Sequence, residues 1–269
     1  MDLVKALILG VVQGLTEFLP ISSSGHLVIA SEILNFHEAG IVFEVFLHCG
    51  TLLAVILVFR NELFLMLRSL FMTPASRKSD PDFELYFQWN IYIVIATLPA
   101  VVVGLLFKDS IDRIFDTILI TFAMLAVTGV TMVMTRFIHE KGVSVNWSRA
   151  LIIGIAQAMA IMPGLSRSGS TIFTGMLLGV KRETAARFSF IMSIPAILGA
   201  VVLHLGKLID SPPSTDELLA ISIGTAASAI SGYFAIILLM RIVRRGKLQW
   251  FGYYCLLISG IGLGWYLLR

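Results

Sequence analysis

Apolar positions run through this chain in long blocks separated by short polar connections. Six blocks approach the roughly 20 residues that a membrane-crossing helix needs: 42–59, 87–107, 116–136, 188–206, 218–240 and 248–268, the first short at its N-terminal end. The longest connection, 60–86, reads as a loop, with turn signals at Thr73-Pro74-Ala75-Ser76 and Ser79-Asp80-Pro81-Asp82. Two more apolar regions do not read as single spans. Residues 3–34 break at Pro20-Ile21-Ser22-Ser23-Ser24-Gly25, and 148–180 break at Pro163-Gly164-Leu165-Ser166-Arg167-Ser168-Gly169. Their halves, about 11 to 17 residues, are too short to cross alone, so each region predicts a re-entrant hairpin of two half-helices.

The two broken regions match each other. Shifted by 144 residues without a gap, Ala6, Leu7, Ile8, Gly10, Gln13, Ser22, Ser24 and Gly25 fall on Ala150, Leu151, Ile152, Gly154, Gln157, Ser166, Ser168 and Gly169. Shared Ala, Leu and Ile mean little in apolar helices; the shared Gln and S-x-S-G carry the match. The reading is one integral membrane domain over 1–269 built from two repeats, about 1–136 and 148–269, each a hairpin followed by three spans. Three spans switch faces and a hairpin does not, so the second repeat must be inverted.

Charge tests that topology. One face collects Arg60, Arg68, Arg77, Lys78, Arg136, Lys141, Arg149, Lys181, Arg182, Arg187, Arg241, Arg244, Arg245 and Lys247. The other collects Lys5, Lys108, Arg113, Lys207 and Arg269. Cytoplasmic loops concentrate Lys and Arg, so the first face is inside and both termini face outside. Inverted hairpins then enter from opposite sides, and their tips can meet near the midplane. The fold class is an all-α polytopic membrane protein: six transmembrane helices plus two re-entrant hairpins in an inverted-topology repeat.

Composition agrees. The apolar share is 57% and the charged share 14%, against roughly 25% charged in soluble domains. A net charge of +3 with no basic tract on a soluble face argues against nucleic acid as a partner. Cys49 and Cys255 sit in apolar blocks and form neither a disulfide framework nor a metal spacing. The N-terminus does not read as an ordinary cleavable signal peptide, because Asp2 precedes Lys5 and Gln13, Thr16 and Glu17 interrupt the apolar run.

The candidate chemistry lies in polar residues inside these regions. A carboxylate such as Glu17 at bilayer depth costs about 2.5–3.5 kcal/mol, and Gln13 shares its helix face. The bland reading of this pair is a tie between helices; the functional one is a polar wall with Glu17 as acid, base or cation ligand. Ser22-Ser23-Ser24-Gly25-His26 begins a half-helix, where unpaired N–H groups and the helix dipole favour an anion. One Ser suffices as a cap. Three serines and a His, the side chain suited to proton transfer near neutrality, suggest more. Ser166-Arg167-Ser168-Gly169 builds the matching start, with Arg167 either a structural partner of Glu17 or a fork for phosphate oxygens. Ser168, Ser170 and Thr171 extend the donor set. Glu44 and His48 are weaker candidates for supporting the site from behind; a helix-end charge and a buried, hydrogen-bonded His explain them better. Asp109, Asp112 and Asp116 read as solvated loop charges, and Met159, Met162 and Met176 as packing. The set suits a highly charged anion such as a phosphate or diphosphate. No Walker A, H-E-x-x-H, C-x-x-C or G-x-S-x-G is present.

At these residues the sequence resembles the undecaprenyl-diphosphate phosphatase family, the bacitracin-resistance type. Its (E/Q)-x-x-x-E motif appears as Gln13-Gly14-Leu15-Thr16-Glu17, its P-x-S-S-[ST]-G-H as Pro20-Ile21-Ser22-Ser23-Ser24-Gly25-His26, and its P-G-x-S-R-S-x-x-T as Pro163-Gly164-Leu165-Ser166-Arg167-Ser168-Gly169-Ser170-Thr171. The resemblance implies removal of the terminal phosphate of undecaprenyl diphosphate, regenerating a lipid carrier for wall polymers and conferring bacitracin resistance. It implies an enzyme of the bacterial plasma membrane, open to the outer face, acting among membrane lipids on a polyprenyl diphosphate. A divalent cation, Mg or Ca, is expected, with Glu17 as its ligand; Gln at position 13 leaves only one carboxylate in the motif. On this reading Ser23, or alternatively Ser22, is nucleophile or positions it. His26 is base and then acid, oriented by Glu17 unless Glu17 holds the cation. Arg167 clamps the diphosphate. Gln13, Ser24, Gly25, Ser166, Ser168, Gly169 and Thr171 line the substrate. Whether a phosphoserine forms or His26 activates water is left open. Two rivals stand beside this reading. One is a lipid-phosphate flippase or anion transporter, since carriers use inverted hairpins; His26 beside the serines discriminates against it. The other is the acid-phosphatase superfamily, which needs a His where Thr171 stands.

Overall fold

The computed structural model describes residues 2–34, 41–107, 117–210 and 213–268. The described residues form twelve α-helices: α1 (Leu3–Phe18), α2 (Ser23–Ile33), α3 (Ile41–Val58), α4 (Arg60–Leu70), α5 (Pro74–Lys78), α6 (Pro81–Leu106), α7 (Ile118–Met134), α8 (Trp147–Met159), α9 (Arg167–Leu177), α10 (Arg182–Asp210), α11 (Thr215–Arg244) and α12 (Gln249–Leu267). Among the described residues no strand occurs, only an isolated bridge between Val143 and Val180. Lys108, Asp109, Asp112, Arg113, Asp116 and Arg269 lie outside the described residues.

Among the described residues, four helices are long and apolar enough to cross a membrane: Pro81–Leu106, Ile118–Phe137, Arg182–Val202 and Glu217–Arg244. A fifth candidate is the bent pair Val42–Val58 and Arg60–Leu70, which turns by 78° at Phe59. The stretch 60–86, read as a loop, is therefore largely helical. The sequence signals there were helix starts. The Thr73 hydroxyl accepts from Ser76 N at 3.3 Å, Asp80 accepts from Asp82 N at 2.9 Å, and Pro74 and Pro81 occupy first-turn positions where a missing N–H costs nothing. In α4, Arg60, Glu62 and Arg68 hid the helix from a search for continuous apolarity.

The apolar blocks face two ways. On α6, Val94, Leu98, Val101 and Leu105 recur at helical spacing and are exposed, a stripe suited to lipid. Inside, Phe190 meets Phe18 edge-on at 5.7 Å between ring centroids and Phe59 at 5.9 Å, while Trp89 meets Phe188 at 5.4 Å. These rings knit α1, α3, α6 and α10 together. Lipid is as apolar as Leu, so close packing rather than burial from water must hold such helices. Gly10 and Gly154 supply it. A Cβ on Gly10 would strike the carbonyl oxygen of Gly224 in α11, and one on Gly154 would strike the backbone of Ala96 in α6. Thus α1 lies along α11, α8 lies along α6, and α7 pairs with α12. Cys49 and Cys255 are both free thiols.

Candidate active site

Each broken region is a helix–turn–helix. Helix α1 stops at Phe18, ahead of Pro20, and the chain reverses through Ser22, the one non-glycine residue with positive φ (69°) among those described. Ser22 caps α2: its Oγ accepts from Gly25 N at 3.4 Å and lies 3.4 Å from Ser24 Oγ. The second turn repeats this. Gly164 takes φ 88°, a conformation that glycine adopts without strain, and Ser166 caps α9. Ser166 Oγ accepts from Gly169 N at 3.1 Å and lies 3.2 Å from Ser168 Oγ. Thr128 of α7 fixes this turn from the side, donating to Gly164 O and accepting from Ser166 N, both at 2.9 Å.

The two turns touch, as expected. Ser168 Oγ donates to Leu19 O at 3.3 Å, and a Cβ on Gly25 would stand 3.5 Å from Gly164 Cα. Glu17 is the centre of the junction, with only 7% of its surface exposed. Its Oε2 accepts from Gln13 Nε2 at 3.0 Å and from Ser23 Oγ at 2.6 Å, while its Oε1 pairs with the Arg167 guanidinium. His48 Nε2 lies 3.8 Å from Oε2. A buried carboxylate is tolerable only when paired and hydrogen-bonded, and this one is both.

His26 stands apart from that centre. Its Nδ1 lies 2.8 Å from Ser22 O, which can only accept, so Nδ1 carries the proton. Its Nε2 then accepts from Tyr254 OH at 2.8 Å, with the rings stacked 5.6 Å apart. Glu17 therefore makes no contact that would orient His26; it holds Ser23 and Arg167 instead. Thr171 is also not at the junction. Its hydroxyl turns back on α9, donating to Arg167 O at 2.8 Å, and meets Ser189 Oγ at 2.5 Å. Ser22, Ser166 and Ser168 are nearly fully buried as caps and ties, whereas Ser23 and Ser24 remain partly exposed. Two further residues join the site. His48, for which a helix-internal hydrogen bond was the stronger expectation, does donate from Nδ1 to Glu44 O at 2.8 Å; its other nitrogen faces Glu17. Tyr254 carried no local signal, being a tyrosine in an apolar helix far along the chain.

Among the described residues no group of three His, Cys, Asp or Glu could cage a metal. Gln13 donates its Nε2 to the Glu17 carboxylate, and its Oε1 is buried without a hydrogen-bond partner. One carboxylate plus an amide oxygen fits Mg²⁺ or Ca²⁺ shared with phosphate oxygens, the usual manner for Mg²⁺.

Apolar outward faces, helices long enough to span and a buried polar junction between two helix starts define a helical integral membrane protein. The chain belongs to the bacitracin resistance protein BacA family, whose model matches residues 6–261. It is 40% identical over 272 residues to an undecaprenyl-diphosphatase of Desulfosudis oleivorans, with 98% of each chain covered. It is 42% identical over 266 residues to that of Korarchaeum cryptofilum, covering 96% of this chain and 97% of the other. Against that of Halothermothrix orenii it is 38% identical over 263 residues, with 96% of each covered.

Proposed function

We propose that this protein hydrolyses undecaprenyl diphosphate to undecaprenyl phosphate and inorganic phosphate, an activity that fits recycling of a wall-polymer lipid carrier and bacitracin resistance. Membership of the family and the names of its relatives support the reaction. The observation that carries the site is the Ser23 hydroxyl donating to Glu17 at 2.6 Å, with Arg167 of the other turn on the same carboxylate.

The chemistry follows from those contacts. Phosphoryl transfer needs positioning and charge stabilisation above all. The terminal phosphate of the substrate draws Arg167 from Glu17 and is held by its planar fork. Ser23 Oγ attacks the terminal phosphorus while its proton passes to Glu17 Oε2. The bond from that phosphorus to the bridging oxygen breaks, and undecaprenyl phosphate leaves. Water then attacks the same phosphorus and the bond to Ser23 Oγ breaks; Ser23 Oγ takes back the proton held by Glu17 Oε2, and the proton of the water leaves with the inorganic phosphate. The first N–H groups of α2 and α9, unpaired within their helices, face the anion. His26, fixed by Ser22 and Tyr254, serves as a positioned imidazole at the start of α2 rather than as the acceptor of the Ser23 proton. A divalent cation held by Glu17 and Gln13 Oε1 would neutralise phosphate charge.

The topology proposed with this function has six spans and two re-entrant hairpins in inverted repeats, both termini outside and the site open to the outer face. The equal lengths and 144-residue offset of α2 and α9 support the repeat. The pairing of α12, 19 residues long, along α7 supports the sixth span.

The direct test is phosphate release from undecaprenyl diphosphate by purified protein in detergent, with and without chelator. Wild type should release phosphate only with divalent cation, and Ser23→Ala should lose nearly all activity while staying folded. No release from folded wild type with cation would overturn the reading.

A further inference from the structure

The second hairpin repeats Gln13 as Gln157, but it repeats Glu17 as Ile161. In the first hairpin the Gln13 amide donates to the Glu17 carboxylate. In the second, the position four residues on is aliphatic. Gln157 is 2% exposed, and neither its Nε2 nor its Oε1 has a hydrogen-bond partner. A buried amide with both ends unpaired costs stability, more so among lipid-facing helices. The amide also lies on the wall of a cavity of about 560 Å³ between α6, α8 and α10, which Arg167 lines as well. Apart from these two side chains and Thr97, whose hydroxyl donates to Ile93 O at 2.7 Å, the walls are apolar; Val101 and Leu105 of the outward α6 stripe and the exposed Leu198 and Val202 form the rim, so the cavity opens toward the lipid-facing side.

A cavity with an apolar body and one polar end selects an amphiphile, and the guanidinium selects an anionic head. In the first hairpin an acidic oxygen sits between a glutamine amide and Arg167; in the second, the amide and the same arginine are present without the acid. We propose that a phosphate oxygen of the lipid substrate takes the place that Glu17 takes in the first hairpin. Gln157 is thus a binding residue for the phosphate attached to the lipid, and the cavity seats the head-proximal part of its chain. This rests on the hydrolase reading for the identity of the lipid. The size suits this role, because ligand cavities of about 300–1,000 Å³ bury compact molecules. The cavity runs along the C-terminal halves of α6 and α10, which lead to the less basic face.

Two variants test it without disturbing packing. A Cβ on Gly199 meets nothing within 4 Å, and Gly199 lines the cavity, so Gly199→Leu fills space rather than displacing neighbours. Gly199→Leu should lower kcat/KM for undecaprenyl diphosphate relative to isopentenyl diphosphate, a single isoprene unit, by at least about tenfold. Gln157→Leu should lower kcat/KM about tenfold on both substrates while leaving Tm equal to or above that of wild type, because an unpaired buried amide has been replaced by an apolar side chain. An unchanged substrate ratio in Gly199→Leu, or wild-type kinetics in Gln157→Leu, would overturn the proposal.

Binding separates this from the hydrolase reading. Undecaprenyl phosphate should raise the Tm of wild type and fail to raise that of Gly199→Leu. That result upholds the site even if wild type releases no phosphate from either substrate. Equal stabilisation of both proteins overturns it. Equal stabilisation of wild type by phosphatidylglycerol also overturns it, making the cavity a seat for bilayer lipid.

Discussion

The first and second hairpin turns share a frame and differ in charge. Each has a serine cap accepting from a glycine N–H, a second serine hydroxyl beside the first, and an 11-residue helix beyond. They part at Glu17 against Ile161, Ser23 against Arg167, and His26 against Ser170. The first turn holds the anion and the partly exposed hydroxyl; the second holds the cation. Alone, each would leave a charge at bilayer depth, at a cost of about 2.5–3.5 kcal/mol. Touching, they neutralise each other through Glu17 and Arg167. The two similar turns thus bring opposite charges together only where they meet, and in the proposed reaction a phosphate enters by exchanging with the carboxylate for the arginine.

The largest effect expected is at Arg167. Arg167→Ala removes the clamp and strands a buried carboxylate, so kcat/KM should fall at least about 10³-fold, and stability by about 3–5 kcal/mol, read by phosphate release and thermal unfolding. Ser23→Ala should match that kinetic loss, about 10³-fold, with Tm nearly unchanged, because the hydroxyl donates to a carboxylate that keeps Gln13 and Arg167. Wild-type rates in Ser23→Ala would move the nucleophile to water. Making the turns more alike should also inactivate. Ile161→Glu gives the second hairpin its own carboxylate next to Gln157, competing for Arg167, and should cost about 10²-fold, of the order of one catalytic hydrogen-bond donor. The smallest effect is expected from Tyr254→Phe, which removes the hydroxyl on His26 Nε2: about a three- to tenfold fall in kcat, comparable to the net worth of one hydrogen bond. No change there would reduce Tyr254 to packing.

Much of this comparison was legible in the sequence, for physical reasons. Pro20 and Pro163 with their following serines read as breaks followed by caps, so the two half-helix starts could be placed within 20–25 and 163–169; which serine caps each, Ser22 and Ser166, came from the structure. A buried Glu17 and Arg167 demanded partners; their pairing with each other stood in the sequence as the bland alternative to a phosphate clamp, and the structure shows that pair. What escaped was whatever depends on register between distant helices. His48 sits one span away from Glu17, and its facing nitrogen is set by how α3 rotates against α1. Tyr254 reaches His26 only because α12 pairs with α7 beside the first turn. Thr171 was placed at the substrate by motif, but a threonine inside a helix has its own carbonyls in reach, and it took them. The helical character of 60–70 escaped because α4 mixes charge with apolar residues, which a search for continuous hydrophobicity passes over.

The central claim is that the two turns form one catalytic unit. It is tested most directly by a double-mutant cycle on kcat/KM for undecaprenyl diphosphate, using Ser23→Ala, Arg167→Lys and the two combined. Groups acting as a unit are strongly non-additive. The double variant should lose no more than about threefold beyond Ser23→Ala alone. A loss equal to the product of the two single losses would mean that Ser23 and Arg167 act independently, and would contradict the account.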